Sequence, residues 1–370
     1  MRHRSTALPL ALAFVALVVY ASLYPFAGWR WPPGLQWSDA LSLPWPRWRD
    51  RFDEWANLAG YVPLGALVYG AVVRGGGARR RAMAVAIVVP ALLSYGVEVA
   101  QTFVPQRVPS LKDCAFNVAG AALGAVVAAG LFALGWVDAW NALRRRWFAR
   151  ESALALGLVL LWPLALLFPA PVPLGLGGVW GALGDAAEAL LADTPWEAEA
   201  AAWLGSAQTV QVPLTRLREA LIVGLGLLAP VLVAYATSRP GWHRGLMLAG
   251  ALALAVSVMT LSTGLNFGPQ HALTWWTPGT GPAMAVAAAM ALALSAASPR
   301  LAAALGLLAL AALCVLVAQA PSDPYYAANL QGWEQGRFIR FHGLAKWVGW
   351  LWPYAAMAWL LVRVTRRGGD

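Results

Sequence analysis

Glu98, Gln101, Arg107, Ser110, Asp113 and Asn117 fall within one short stretch, set against some of the most apolar sequence in the chain. Two carboxylates can work as acid and base or hold a hard cation through oxygen, a guanidinium can fix an anion, and amides can orient either. An ionisable group near the middle of a membrane span costs roughly 2.5–3.5 kcal/mol or more, so such a run marks a functional site by default.

The spacing says how helices could assemble these groups. Ser94, Glu98 and Gln101 stand at i, i+4 and i+7, one stripe of a helix. A span ending near Val104 sets Glu98 roughly 9 Å below its end, at the rise of an α-helix. A short loop, Pro105–Lys112, carries Arg107. Asp113 could open the next helix, as its N-cap or as a charge matched to the helix dipole. Asn117, Gly120 and Gly124 continue that helix, and small residues at this spacing let helices approach closely. Upstream, Asp53, Asn57 and Tyr61 share one face of a further helix, which Pro63 could kink. Glu98 and Asp113 are the catalytic candidates. The ligand-binding candidates are these two with Asp53, Asn57, Tyr61, Gln101, Arg107, Ser110 and Asn117. The plainer readings are that Arg107 pairs with Glu98 or Asp113 to hold the loop, and that the asparagines are interhelical glue.

Composition says which elements must position them. The chain has 370 residues, 60% hydrophobic and 12% charged, against about 25% charged in soluble proteins. Successive apolar runs of span length predict an all-α, polytopic membrane bundle of about ten transmembrane helices. The net charge of +10 is spread over alternate connections: Arg2 and Arg4; Arg74 and Arg79–Arg81; Arg144–Arg146 and Arg150; Arg239 and Arg244; Arg300; Arg363, Arg366 and Arg367. Most acids lie in the intervening loops. This is the positive-inside pattern, which puts both termini in the cytoplasm and makes the arginine clusters orientation signals that can also touch anionic headgroups, with no nucleic-acid partner. The start of the second span, the end of the third and the start of the fourth then share the outer side. The first apolar segment, Leu8–Tyr24, reads as a retained span. Cys114 and Cys314 both fall in predicted spans, which leaves no thiolate zinc site or disulfide framework. No metal or other cofactor is expected.

The charge run at Arg144–Arg150 divides the chain into a four-span unit, 7–136, and a six-span unit, 150–366. An outer loop from Gly28 to Arg51 is rich in Trp and Pro, and reads either as lying along the membrane surface or as a compact loop. In the second unit the long loop Pro169–Arg218 should hold short amphipathic helices at Gly181–Leu191 and Glu197–Leu204. Weaker site candidates are Glu334, Arg337, Arg340 and His342, near Tyr325, Tyr326 and Trp333, and His271 near Trp275 and Trp276. The later spans look nearly bare of buried polar residues. The chain has no GxSxG, P-loop or HExxH motif.

Three segments together, Asn57-x-x-Gly60-Tyr61-x-Pro63-Leu64-Gly65, Glu98-x-x-Gln101-x-Phe103-x-Pro105-x-Arg107 and Ser110-x-x-Asp113-x-x-x-Asn117-x-x-Gly120-x-x-x-Gly124, resemble the VanZ-like family. The resemblance covers about residues 53–128. It implies a bacterial inner-membrane protein of the cell envelope, linked to low-level resistance to the glycopeptide antibiotic teicoplanin. The residues leave three functions open. One is an outer-facing pocket that binds a lipid or cell-wall-precursor headgroup. Another is a membrane-embedded enzyme on a lipid-linked substrate, with Glu98 as acid or base. The third is a transporter. The absence of a recognisable nucleophile or His-based pair leans away from catalysis.

Overall fold

In the computed structural model the described residues are 7–24, 26, 28–46, 51–105, 107–149, 152–168, 170–192, 194–199, 214–320 and 339–366. They are helical, apart from loops and an isolated bridge between Phe148 and Ser238. Six of these helices are long and apolar enough to cross a membrane. Three more apolar helices are shorter. The chain separates into two compact units, Met1–Arg144 and Arg145–Asp370.

The first unit contains α1 (Ala7–Leu23), a short α2 (Trp37–Leu41), α3 (Arg51–Arg74), α4 (Arg79–Gln101), α5 (Leu111–Ala133) and most of α6 (Trp136–Trp147). Short connections make α3, α4 and α5 alternate in direction, so the start of α3, the end of α4 and the start of α5 share one end. The buried positions of α5 are Cys114, Asn117, Gly120, Ala121, Gly124, Ala125 and Ala128. They form a stripe of small residues repeating every three to four positions, which is what lets a neighbouring backbone come close. Added Cβ atoms at Gly120 and Gly124 would overlap the carbonyls of Leu58 and Val62, and one at Gly65 that of Ala121. Thus α3 and α5 meet backbone against backbone. The helix α3 runs on through Pro63.

The Trp-rich loop is compact. Arg30 N–H donates to the Phe103 carbonyl at 2.9 Å, Leu111 N–H to Pro44 at 2.9 Å, and Tyr95 Oη to the Leu41 carbonyl at 2.6 Å. Trp31 packs against Phe103 and Trp37, with ring centres 5.1 and 4.5 Å apart. The loop is therefore fastened over the end of the bundle where the polar residues lie. Trp48 lies outside the described residues.

The second unit contains α7 (Ala153–Ala165), α8 (Val179–Leu191), α9 (Arg216–Thr237), α10 (His243–Phe267), α11 (Thr280–Ala293), α12 (Pro299–Ala318) and α13 (Ile339–Thr365). Apolar all round, α9 is buried along nearly its whole length, as expected of a central helix. Part of the expected outer loop is instead core: Val172, Leu174 and Leu176 are buried, and an added Cβ at Gly226 of α9 would overlap the Leu174 carbonyl. The helix expected at Gly181–Leu191 is α8. Most of Glu197–Leu204 lies outside the described residues, as do Arg2, Arg4, Arg150 and Arg367.

The second unit is also less bare of polar groups than its sequence reads. His243, Arg244, Ser262, Thr263 and Asn266 are buried. Arg244 is fully buried, so it is not a loop charge that only orients the chain. Its Nη2 donates to the Tyr235 and Ser238 carbonyls, both at 2.7 Å. Its Nη1 donates to the Ser295 and Ala297 carbonyls, at 3.0 and 2.6 Å. It thereby gives further donors to carbonyls at the end of α9 and in the turn after α11, and its charge suits the negative end of α9.

Candidate functional site

Ser110 is the N-cap of α5, in extended conformation, and its Oγ accepts the Asp113 N–H at 3.2 Å. Asp113 therefore sits in the first turn and is not the cap, although its charge still suits the helix dipole. On α4, Glu98 is buried, and its Oε2 accepts the Ser110 N–H at 2.8 Å. Glu98 so fixes the residue that starts α5. Since α4 ends at Gln101, Glu98 lies only about 4.5 Å from the helix end at 1.5 Å per residue, half the depth expected from a span ending at Val104.

One turn deeper, Asn117 Nδ2 donates to Ser94 Oγ at 2.9 Å, with both residues buried. Tyr61 on α3 and Cys114 on α5 turn toward the same Ser94 and toward Glu98. The amide oxygen of Asn117 is buried and has no hydrogen-bond partner among the described residues. An unpaired acceptor of this kind costs about 1–3 kcal/mol, so it calls for a donor.

The other expected members go elsewhere. Gln101 Nε2 donates to the Ser22 carbonyl at 3.0 Å, and Arg107 Nη2 to the Tyr24 carbonyl at 2.8 Å. Both therefore anchor the end of α1 to the cluster. Asp53 is exposed and Asn57 half-buried, and neither hydrogen-bonds to another described residue. The face expected at Asp53, Asn57 and Tyr61 reaches the cluster through Tyr61.

Round α5 from Asn117, at the same end of the helix, lies an open groove of about 610 Å³, lined by Trp45, Glu54, Lys112, Phe116 and neighbouring small residues and by none of the cluster's side chains. Glu54 Oε1 and Lys112 Nζ form an ion pair of 2.5 Å at its edge. Sequence reasoning missed this pair. Each partner is one residue from a candidate it did name, Asp53 and Asp113, and nothing local to either helix points to the other. Ser94 stood in the polar stripe but was left out of the site, because a lone serine in a span is a weak signal. Glu334, Arg337, Tyr325, Tyr326 and Trp333 lie outside the described residues, as do the side chains of Arg340 and His342. His271 closes a short turn, Pro269–His271, and is half-buried. No group of His, Cys, Asp and Glu fit to hold a metal ion occurs among the described residues.

The three segments that make this cluster are those of the resemblance drawn above, and residues 10–135 match the model of the VanZ/LLP1 family. The match ends before α6, and the whole second unit lies beyond it. No curated protein and no solved structure matches the chain. With its six long apolar helices, the chain is a multi-pass membrane protein carrying a VanZ-like segment in its first unit.

Proposed function

We propose that this protein works in the bacterial inner membrane, as part of the cell envelope, and that the polar end of its first unit holds a lipid or cell-wall-precursor headgroup at the outer leaflet. The observation that carries the reading is a buried polar cluster, Ser94, Glu98, Ser110 and Asn117, with an unpaired amide acceptor, at the same end of α5 as a groove lined by Glu54, Lys112 and apolar residues. A headgroup with an attached chain has that same polarity. Binding is favoured over turnover because the Glu98 carboxylate and the Ser110 hydroxyl are each engaged by a backbone N–H group. The resemblance to VanZ-like proteins links such a ligand to teicoplanin tolerance.

A photo-reactive residue at Phe116, in the groove, tests this in whole cells. It should capture a lipid or lipid-linked species that the same probe at Leu123, on the exposed side of α5, does not. Identical adducts at both positions would mean ordinary surrounding lipid and would defeat the proposal.

A further inference from the structure

The helix α6 has no buried residue, although it is made largely of Trp, Val, Ala and Leu. At 100° per residue, Trp136, Trp140, Leu143 and Trp147 fall within a narrow stripe. Arg144 and Arg146 flank the stripe on either side, while Asp138, Asn141 and Arg145 lie opposite. Trp136 and Trp140 are 65% and 54% exposed, too much aromatic surface to leave in water on both counts. Trp147, at the end of the stripe, stacks on His243 with ring centres 5.1 Å apart.

The start of α6 is tied to the end of a span. Gly135, with φ of 73°, supplies the left-handed turn that stops α5. The Leu134 N–H closes on Gly130 at 2.8 Å, and the Ala139 N–H is already bonded to Gly135 at 2.9 Å. The chain therefore passes from a membrane-crossing helix into α6 with no spacer. On the polar side, Arg74 at the end of α3 donates to Asn141 Oδ1 at 3.5 Å. A helix begun at a span's end, with one aromatic stripe and arginines on its flanks, has the form of an interfacial helix.

We infer that α6 lies in the headgroup layer and is a binding site for anionic phospholipid. The rings of Trp136 and Trp140 enter the acyl boundary, and Arg144 and Arg146, on the flanks of the stripe, hold phosphate from the surrounding anionic lipids, with Arg145 adding to the positive field from the far side. Charge complementarity selects this occupant: three consecutive arginines raise the local concentration of anionic over zwitterionic lipid, each by about 1 kcal/mol, or roughly fivefold. The inference is independent of the headgroup site at the other end of the unit.

The test uses the full-length protein in phosphatidylcholine vesicles that contain phosphatidylglycerol. Cys114 and Cys314 are buried, so a bimane fluorophore on W140C reports from α6. Its fluorescence is quenched by lipid carrying a headgroup nitroxide, either phosphatidylglycerol or phosphatidylcholine, at matched content. Quenching should be several-fold stronger with the anionic quencher. That excess should vanish at high salt and in R144Q/R145Q/R146Q, while zwitterionic quenching persists. Should the triple variant fail to insert, the salt titration on W140C alone decides. Equal quenching by both lipids, or an excess indifferent to salt, overturns the anionic site. No quenching by either lipid overturns the interfacial placement.

Discussion

The two units bury polar groups to different ends. In the second unit they serve mainly the backbone: Arg244 gathers the carbonyls of Tyr235, Ser238, Ser295 and Ala297, and Ser262 Oγ donates to the Leu167 carbonyl at 2.8 Å. In the first unit, buried side chains of α4 and α5 also meet one another, at Ser94 and Asn117. A buried polar residue is thus not in itself a site. Partners that are main-chain carbonyls at helix ends indicate structure, whereas polar side chains from two helices that converge on one another mark the candidate site.

The largest effect should separate stability from function in the second unit. Replacing Arg244 with Met keeps bulk and removes every donor, taking the guanidinium from four carbonyls and the Ser238 hydroxyl at once, and should cost about 3 kcal/mol or more. Denaturant or thermal unfolding in detergent would register it. A variant as stable as wild type would break the comparison from the structural side. Next comes Gly120→Val, whose Cβ meets the Leu58 carbonyl. It forces α3 and α5 apart and should cost about 1–3 kcal/mol by the same measurement, spreading the cluster with it. Smaller still is Asn117→Ala. It loses the bond to Ser94 but also removes an unpaired oxygen, so its stability change should be only about 0.6 kcal/mol. Ligand capture at Phe116 should nonetheless fall, and a variant that captures normally would place Asn117 among the merely structural polar groups. Asp53→Asn, on an exposed residue, should stay within about 0.5 kcal/mol of wild type.

Much of this was legible in the sequence because helix periodicity is simple. The i, i+4, i+7 stripe of Ser94, Glu98 and Gln101 is a buried face of α4, and the small-residue stripe of α5 is its contact with α3. Helix ends were less legible. The choice between Ser110 and Asp113 as cap depends on a backbone conformation at one residue, and the end of α4 moved Glu98 toward the surface. Long-range partners were not legible at all. Nothing local to Arg107 names the Tyr24 carbonyl, and nothing local to Arg244 says that four carbonyls from two separate turns will surround it. Glu54 and Lys112 were hidden for the same reason, since their pairing comes from the packing of α3 on α5 and not from either helix alone.

The central claim, that the first unit's cluster is a ligand site, is tested most directly by Glu98→Gln with Asp113→Asn, expressed in a host in which the wild-type protein has first been measured to raise teicoplanin tolerance. Both substitutions keep shape and remove charge. The account predicts that tolerance is lost while the purified variant unfolds within about 1 kcal/mol of wild type, since an amide oxygen can still accept the Ser110 N–H. Full tolerance in a folded, membrane-inserted variant would contradict it.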